Sequence, residues 1–216
     1  LGWWTREQAI PAVEDADYCE TTVLVSSSTE KADAVATDLD GIEATLTYDD
    51  YARGVATEHY DAVYICTPNA LHRSNVDPAA DYGKAVLCEK PMEANVADAR
   101  ALVDDCRAAD VPLMIAYRLQ TEPVARRARE LIQGGVIGEV VSILGHMSDT
   151  MLAFADETSW RLDPDLSGGT TINDIGIYPL NTIRFILGED PTAVYARTES
   201  EQPEYEGLDE HAAFQL

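Results

Sequence analysis

Short apolar runs alternate with amphipathic stretches along the first half of the chain. β-branched or apolar runs at Thr21–Val25 (TTVLV), Ile42–Thr47, Ala62–Cys66 (AVYIC), Val86–Cys88 and Leu113–Tyr117 (LMIAY) predict five strands. Helical spacing between them predicts helices over Thr5–Val13, Thr29–Leu39, Tyr48–Ala56 and Asn95–Ala109. The last places Ala99, Leu102, Val103 and Cys106 inward and Asp98, Asp104, Asp105 and Arg107 outward. Thr5 and Gln8 have the spacing of a capping box, and Pro11 makes that first helix short or kinked. Strand–helix alternation implies βαβ units around a parallel sheet, and strands buried on both faces belong in such a sheet. The predicted fold class is α/β: a doubly wound parallel-sheet domain over residues 1–118, followed by a second domain over 119–216. In the second part Val124–Gln133 reads as a helix and Glu139–Met147 as a longer strand. Residues 149–169 carry no period, and Leu180–Leu187 reads as a helix closed by Gly188. Both ends look cut. The chain opens inside a glycine-rich turn, without the first strand, and stops in mid-strand after His211.

Charge narrows the partners. The 39 acids outnumber 15 bases for a net charge of -24, and only Lys31, Lys84 and Lys90 are lysines. Such a field repels nucleic acid and anionic membranes, while 46% hydrophobic composition argues against a disordered acidic tail. Self-repulsion on this scale calls for molar salt, where the Debye length shrinks to roughly 3 Å, so the cytoplasm of a halophile fits best. Cys19, Cys66, Cys88 and Cys106 lack metal-ligand spacing and read as buried free thiols of a reducing compartment, with no metal implied.

Polar turns follow the predicted strands where an open α/β sheet places its ligand crevice. Ser26, Ser27, Ser28 and Lys31 follow the first strand. Hydroxyls with a nearby base suit the 2′-phosphate of NADP better than the ribose of NAD, although a serine-rich helix cap has the same pattern. Thr67, Pro68, Asn69 and His72 follow AVYIC, His72 being either a ligand contact or a helix cap. Glu89, Lys90 and Pro91 end AVLC; they read either as a solvated ion pair on a loop or as a lysine held at the crevice, with a Lys90–Pro91 bond of undetermined isomer. Gly2, Trp3 and Trp4 precede a helix N-terminus, which suits a pyrophosphate. Asp174 and Tyr178, four residues apart, fall on one helical face, with Pro179 confined to the first turn. By position alone Asp174 is equally a simple helix N-terminal acid.

CEKP, Trp160-Arg161, Gly168-Gly169 and DIGIY, in that order, resemble the glucose-fructose oxidoreductase, inositol dehydrogenase and rhizopine-catabolism family. WWTREQAIPAV, ETTVLVSSSTEKA, TPNALH, LCEKPMEA, LMIAYR, DIGIYPLNT and HAAFQL extend the likeness along the whole chain. The resemblance implies an NAD(P)-binding Rossmann domain, then an α+β domain whose large open, mainly antiparallel sheet serves substrate binding and assembly into a homo-oligomer, a dimer or tetramer. Much of that sheet lies outside this sequence. It implies Lys90 and Tyr178 as catalytic, with Asp174 orienting the sugar or Lys90, and places Glu89, Arg118, Trp160 and Arg161 near cofactor or substrate. Trp160 alternatively only packs. Tyrosine at 178, where many members carry histidine, points to aldoses or diols rather than inositol, and together with the serine turn the resemblance implies NADP-dependent oxidation of an aldose such as D-xylose at C1. A dihydrodiol or polyol dehydrogenase and a non-catalytic NADP and sugar sensor are the alternatives. A free phenol ionises near 10, and a lysine ammonium beside it favours the phenolate that a base requires.

Overall fold

The computed structural model describes residues 1–156 and 158–216, which form two units. The first comprises 1–67, 71–89 and 97–114; the second comprises 68–70, 90–96 and 115–216.

In the first unit, β1 (Val23–Ser26) pairs in parallel with β2 (Ala44–Thr47), Val23 opposite Ala44 and Ser26 opposite Thr47. α2 (Thr29–Ala36) lies against both strands. Leu24 and Ala32 form a cluster with Ile10, closed by Val35, Leu39 and Ile42. Truncating a buried leucine such as Leu24 to alanine removes about 2–5 kcal/mol. β3 (Ala62–Ile65) pairs in parallel with β4 (Ala85–Cys88), and β5 (Leu113–Ile115) follows β4 in the same sheet. α4 (His72–Asp81) covers β3 and β4, with Val76 and Ala79 fully buried. The parallel sheet is thus in two pieces. A cavity of about 350 Å³, lined by Val23–Val25, Ala62–Cys66, Ile10 and Leu87 among others, lies between β1 and β3.

That cavity explains one correction. Leu87 is 36% exposed instead of buried, because its face of β4 borders the cavity while Val86 and Cys88 point into packing. The first helix also differs from its reading. Trp3 and Trp4 are already helical, residues Thr5–Ala9 form a π-turn, and α1 (Ile10–Glu14) continues it, so Thr5 caps nothing. Pro11 has no N–H for the ordinary ladder, and the i→i+5 register, seen as Ile10 N–H on the Thr5 carbonyl, carries the chain past it. α3 (Tyr48–Ala52) stops four residues short of Ala56, which takes φ +61°; its start is fixed by Thr47 and Asp50, which cap each other. In α5 (Val96–Ala108) Leu102 and Cys106 are buried as expected, but Asp105 is drawn in by Arg73, 3.2 Å away. Cys19 is exposed, outside any strand or helix, while Cys88 and Cys106 are buried; none of the four is in a disulfide among the described residues.

In the second unit α6 (Pro123–Gln133), with Pro123 at its first turn, packs along α8 (Ile177–Leu187). The guanidinium of Arg129 reaches the Phe185 carbonyl and stacks 4.7 Å from its ring centroid. β6 (Tyr195–Glu199) and β7 (His211–Gln215) are antiparallel, Tyr195 opposite Gln215. The strand expected over Glu139–Met147 does not form. Its alternation is only partial, and a strand needs a neighbour to take its backbone groups; no described residue pairs with it. Val141 and Leu144 are almost wholly exposed, and Gly145 sits against Pro179 and Ile183. The helix expected from Leu180 begins earlier: a π-turn over Thr171–Gly176 runs directly into α8, leaving Tyr178 and Pro179 inside a continuous helical run. Among the described residues no helix is long and apolar enough to cross a membrane.

Candidate active site

Lys90 leaves the end of β4 through a cis peptide to Pro91. Its ammonium donates to the main-chain carbonyl of Asp174 at 2.7 Å and to Asp174 Oδ1 at 3.0 Å. Nζ also lies 4.8 Å from the centroid of the Tyr178 ring, in cation–π contact. The other carboxylate oxygen, Oδ2, accepts from Arg161 Nε at 3.2 Å, and the Arg161 guanidinium stacks 4.6 Å from the Trp160 ring centroid. Trp160 and Arg161 belong to one 3₁₀ turn, Trp160–Leu162, so Trp160 holds Arg161 flat while Arg161 holds Asp174. The Lys90 side chain is 11% exposed and that of Asp174 20%, so this pair is largely withdrawn from solvent. At this burial a charge pair survives only because each oxygen of the carboxylate has a donor. Asp174 falls in the π-turn, a geometry often found where a helix presents a functional group.

The loop carrying Lys90 is braced within the same unit. The buried Glu93 carboxylate accepts the N–H of Ala94 at 2.6 Å. Gly168, in the left-handed conformation after α7 (Pro164–Ser167), brings its Cα so near Ala94 that a Cβ would stand 2.2 Å from that residue's carbonyl oxygen. The Ser167 carbonyl accepts from Asn69 Nδ2 at 2.8 Å and Asn173 Nδ2 at 3.2 Å, so the buried Asn69 ties its turn to the π-turn. Pro68 lies beside it in the same unit and is half-buried. Arg118 stands apart, in a surface pair 3.5 Å from Glu122.

The remaining predicted ligand residues belong to the first unit. Ser26 ends β1 fully buried, with no hydrogen-bond partner for its Oγ. Ser28 caps α2 by accepting the Lys31 N–H at 3.3 Å, while Ser27 and Lys31 are exposed. The serine cap and the phosphate reading therefore share one turn. Thr67, just past β3, likewise has a buried Oγ1 without a partner. Two orphaned hydroxyls at the carboxyl ends of parallel strands fit a polar ligand that supplies what the protein does not. His72 is fully buried, its Nε2 3.0 Å from the Thr67 carbonyl, and braces that turn from within. Gly2 has open space around it, and Trp3 is largely exposed. Trp4 Nε1 donates to the Tyr64 hydroxyl at 2.9 Å, which donates to Glu89 Oε1 at 2.6 Å. Burial first, and then the Glu89 carboxylate, push the Tyr64 phenol far above its ordinary range, so it stays a donor.

A family model described as an oxidoreductase family with an NAD-binding Rossmann fold matches residues 1–117, and one for the GFO/IDH/MocA C-terminal domain matches 125–216. The chain belongs to the GFO/IDH/MocA oxidoreductase family. This GFO/IDH/MocA chain is 53% identical over 218 residues to D-xylose 1-dehydrogenase [NADP(+)] of Haloarcula marismortui, covering 100% of itself and 61% of that protein. It is 39% identical to D-xylose 1-dehydrogenase (NADP(+)) 2 of Haloferax volcanii, over 89% of the chain and 56% of that protein. Among solved structures it resembles the aldose–aldose oxidoreductase of Caulobacter crescentus complexed with glycerol, with a TM-score of 0.88, 32% identity, and coverage of 99% of this chain and 64% of that one. The chain thus spans less than two thirds of the length of these relatives.

Within this family member the sequence reading passed over Tyr64, Ser167 and Asp209. Tyr64 sits mid-strand in AVYIC, where its ring looks like core, and only its hydroxyl distinguishes it. Ser167 acts through its main chain, which no sequence pattern exposes. Asp209 is 39 residues from the threonine it holds.

Proposed function

We propose that the protein containing this chain is an NADP-dependent aldose dehydrogenase that oxidises a pentose such as D-xylose at C1 to the lactone. The observation that carries this reading is the cluster of Lys90, Asp174 and Tyr178: an ammonium shared between a carboxylate and a phenol ring, mostly withdrawn from water. The names of the two haloarchaeal relatives agree with it. Oxidising a hemiacetal requires removal of the C1 hydroxyl proton and departure of a hydride. Tyr178 takes the proton at its phenol oxygen, and the Lys90 ammonium stabilises the negative charge that the ring carries when it does so. Asp174, held on its second oxygen by Arg161, keeps Lys90 against the ring and does not itself serve as the base.

NADP supplies the hydride acceptor when bound. Ser26, Ser27, Ser28 and Lys31 are assigned to its 2′-phosphate, and Gly2, Trp3, Trp4, Thr67 and Glu89 to the rest of the dinucleotide. The serines suit this assignment because Ser26–Ser28 hold no acid to accept a ribose hydroxyl, the first being Glu30 within α2, and Lys31 offers a cation in a chain with three lysines.

The test is NADP reduction in molar KCl with a panel of aldoses, followed as NADPH absorbance. Turnover is expected with D-xylose, and Tyr178→Phe should lower it by about 10²–10⁴-fold while leaving NADP binding intact. No reduction with any pentose or hexose removes the reading. Full activity in Tyr178→Phe removes the phenol from it.

A further inference from the structure

The helical run that carries Asp174 and Tyr178 starts with several backbone N–H groups that have no partner inside the run, as every helix does. One residue distant in sequence takes three of them. Asp209 Oδ1 accepts the N–H of Thr170 at 2.7 Å, Oδ2 accepts that of Ile172 at 2.7 Å, and the Asp209 main-chain carbonyl accepts that of Thr171 at 3.1 Å. The Thr170 hydroxyl donates to the same carbonyl, and the Thr171 hydroxyl to the carbonyl of Glu210 at 2.6 Å. Thr170 itself is 1% exposed, so these bonds do not compete with bulk water. The clamp is anchored in turn: the Glu210 carboxylate accepts the N–H groups of Glu201 at 2.7 Å and Gln202 at 3.0 Å, in the loop after β6.

This clamp ends two residues before Asp174. The shorter of the two bonds from Lys90 to Asp174 goes to the main-chain carbonyl, so the place of the ammonium follows the backbone of the π-turn, not only the Asp174 side chain. Arg161 also depends on where that turn directs Oδ2.

We propose that Asp209 is a positioning residue for the Lys90–Asp174–Tyr178 site: by holding the first N–H groups of the π-turn it sets the phase of the turn, and thereby where Lys90 stands over Tyr178. The proposal rests on the function proposed above only for its effect on turnover; the placement of Lys90 is separately observable.

Proton–carbon spectra of the lysine side chains give one Cε signal per lysine, and the signals of Lys90, Lys84 and Lys31 are each identified by their loss on substitution to arginine. Lys90 lies over the Tyr178 ring and Lys84 over the Tyr60 ring at 5.2 Å, while Lys31 is exposed. Ring currents therefore displace the first two from the third. In Asp209→Ala the Lys90 signal is expected to move towards that of Lys31 while the Lys84 signal, in the other unit, stays. The kcat for xylose should fall on the order of 10- to 100-fold, the effect of a misplacement near 1 Å, with the KM for NADP unchanged. Asp209→Asn keeps one of the two side-chain acceptors and should give a smaller change of the same kind; it carries the test if the alanine variant does not fold. A lower urea midpoint with the Lys90 signal and kcat both unchanged overturns the proposal, leaving Asp209 a purely structural cap. A Lys90 signal that moves in a protein whose wild type reduces no NADP leaves the positioning role standing and overturns the function.

Discussion

Gly168→Ala is the sharpest probe of how the Lys90 loop is held. Gly168 has φ +68°, and an alanine there takes on the left-handed penalty of about 1–2 kcal/mol. The added methyl also meets main chain: it would lie 2.2 Å from the Ala94 carbonyl oxygen and 2.7 Å from its carbon, where no side-chain rotation relieves the overlap. Parting two packed backbones by roughly 1 Å adds about 1–3 kcal/mol of overpacking. The expected loss is therefore about 2–5 kcal/mol, summing the two contributions. Gly207→Ala is the control. Its φ is +81° and its Cβ would meet only Pro164 Cγ at 4.0 Å, so it should lose only the conformational part, about 1–2 kcal/mol. Urea unfolding of both variants in molar KCl measures the difference. Because Ala94 is four residues from Lys90, Gly168→Ala should also lower kcat on the order of 10-fold or more, and Gly207→Ala should not. Equal losses of stability in the two variants would refute the reasoning, since the close approach to Ala94 would then have no energetic weight.

Two further predictions concern the first unit. Thr47→Ala removes the cap in which Thr47 Oγ1 accepts the Asp50 N–H at 3.1 Å and donates to Asp50 Oδ2 at 2.6 Å, and should lower stability by about 1 kcal/mol. Those bonds, the Thr47 hydroxyl foremost, hold the Asp50 carboxyl below its ordinary value, so their contribution is present above the unfolded value of about 3.9 and is lost as pH falls through the folded one. In the variant the Asp50 titration, followed by carboxyl NMR, should rise towards the ordinary value; an unmoved curve contradicts the cap. Tyr51 is 3% exposed and donates to the Asn75 carbonyl at 2.7 Å, and burial drives its phenol far upwards. The stability this represents is intact below the unfolded phenol's value of about 10 and drains away as pH climbs beyond it. Urea midpoints of the wild type should fall steeply above that pH, and Tyr51→Phe should flatten the fall after losing about 1 kcal/mol at neutral pH. Parallel curves for the two proteins would show that this phenol does not govern alkaline unfolding.

What the sequence made legible divides by range. β3 and β4 announce themselves in AVYIC and AVLC because β-branched and apolar residues suit a sheet whatever lies beyond it, and Ser28 announces α2 because a cap is a three-residue matter. Glu139–Met147 has the same kind of local signal and forms no strand, since pairing is decided by a neighbour and not by the segment itself. Leu87 fails for a related reason: its run looks buried on both faces, yet one face borders the cavity. The candidate site follows the same rule. Lys90, Asp174 and Tyr178 stood out as residue types in unusual places, but their meeting spans 84 residues between Lys90 and Asp174. It depends on features that carry no side-chain signature: the Ser167 carbonyl, the Asp174 carbonyl and the missing Cβ of Gly168. Only Gly168-Gly169 left a visible trace, at the end of a stretch without period. A glycine pair within such a loop, followed closely by an acid and an aromatic residue, marks a place where one backbone must approach another. The chemistry next to it is then positioned by main-chain contacts, which makes substitutions at the pair as informative about the site as substitutions of Lys90 itself.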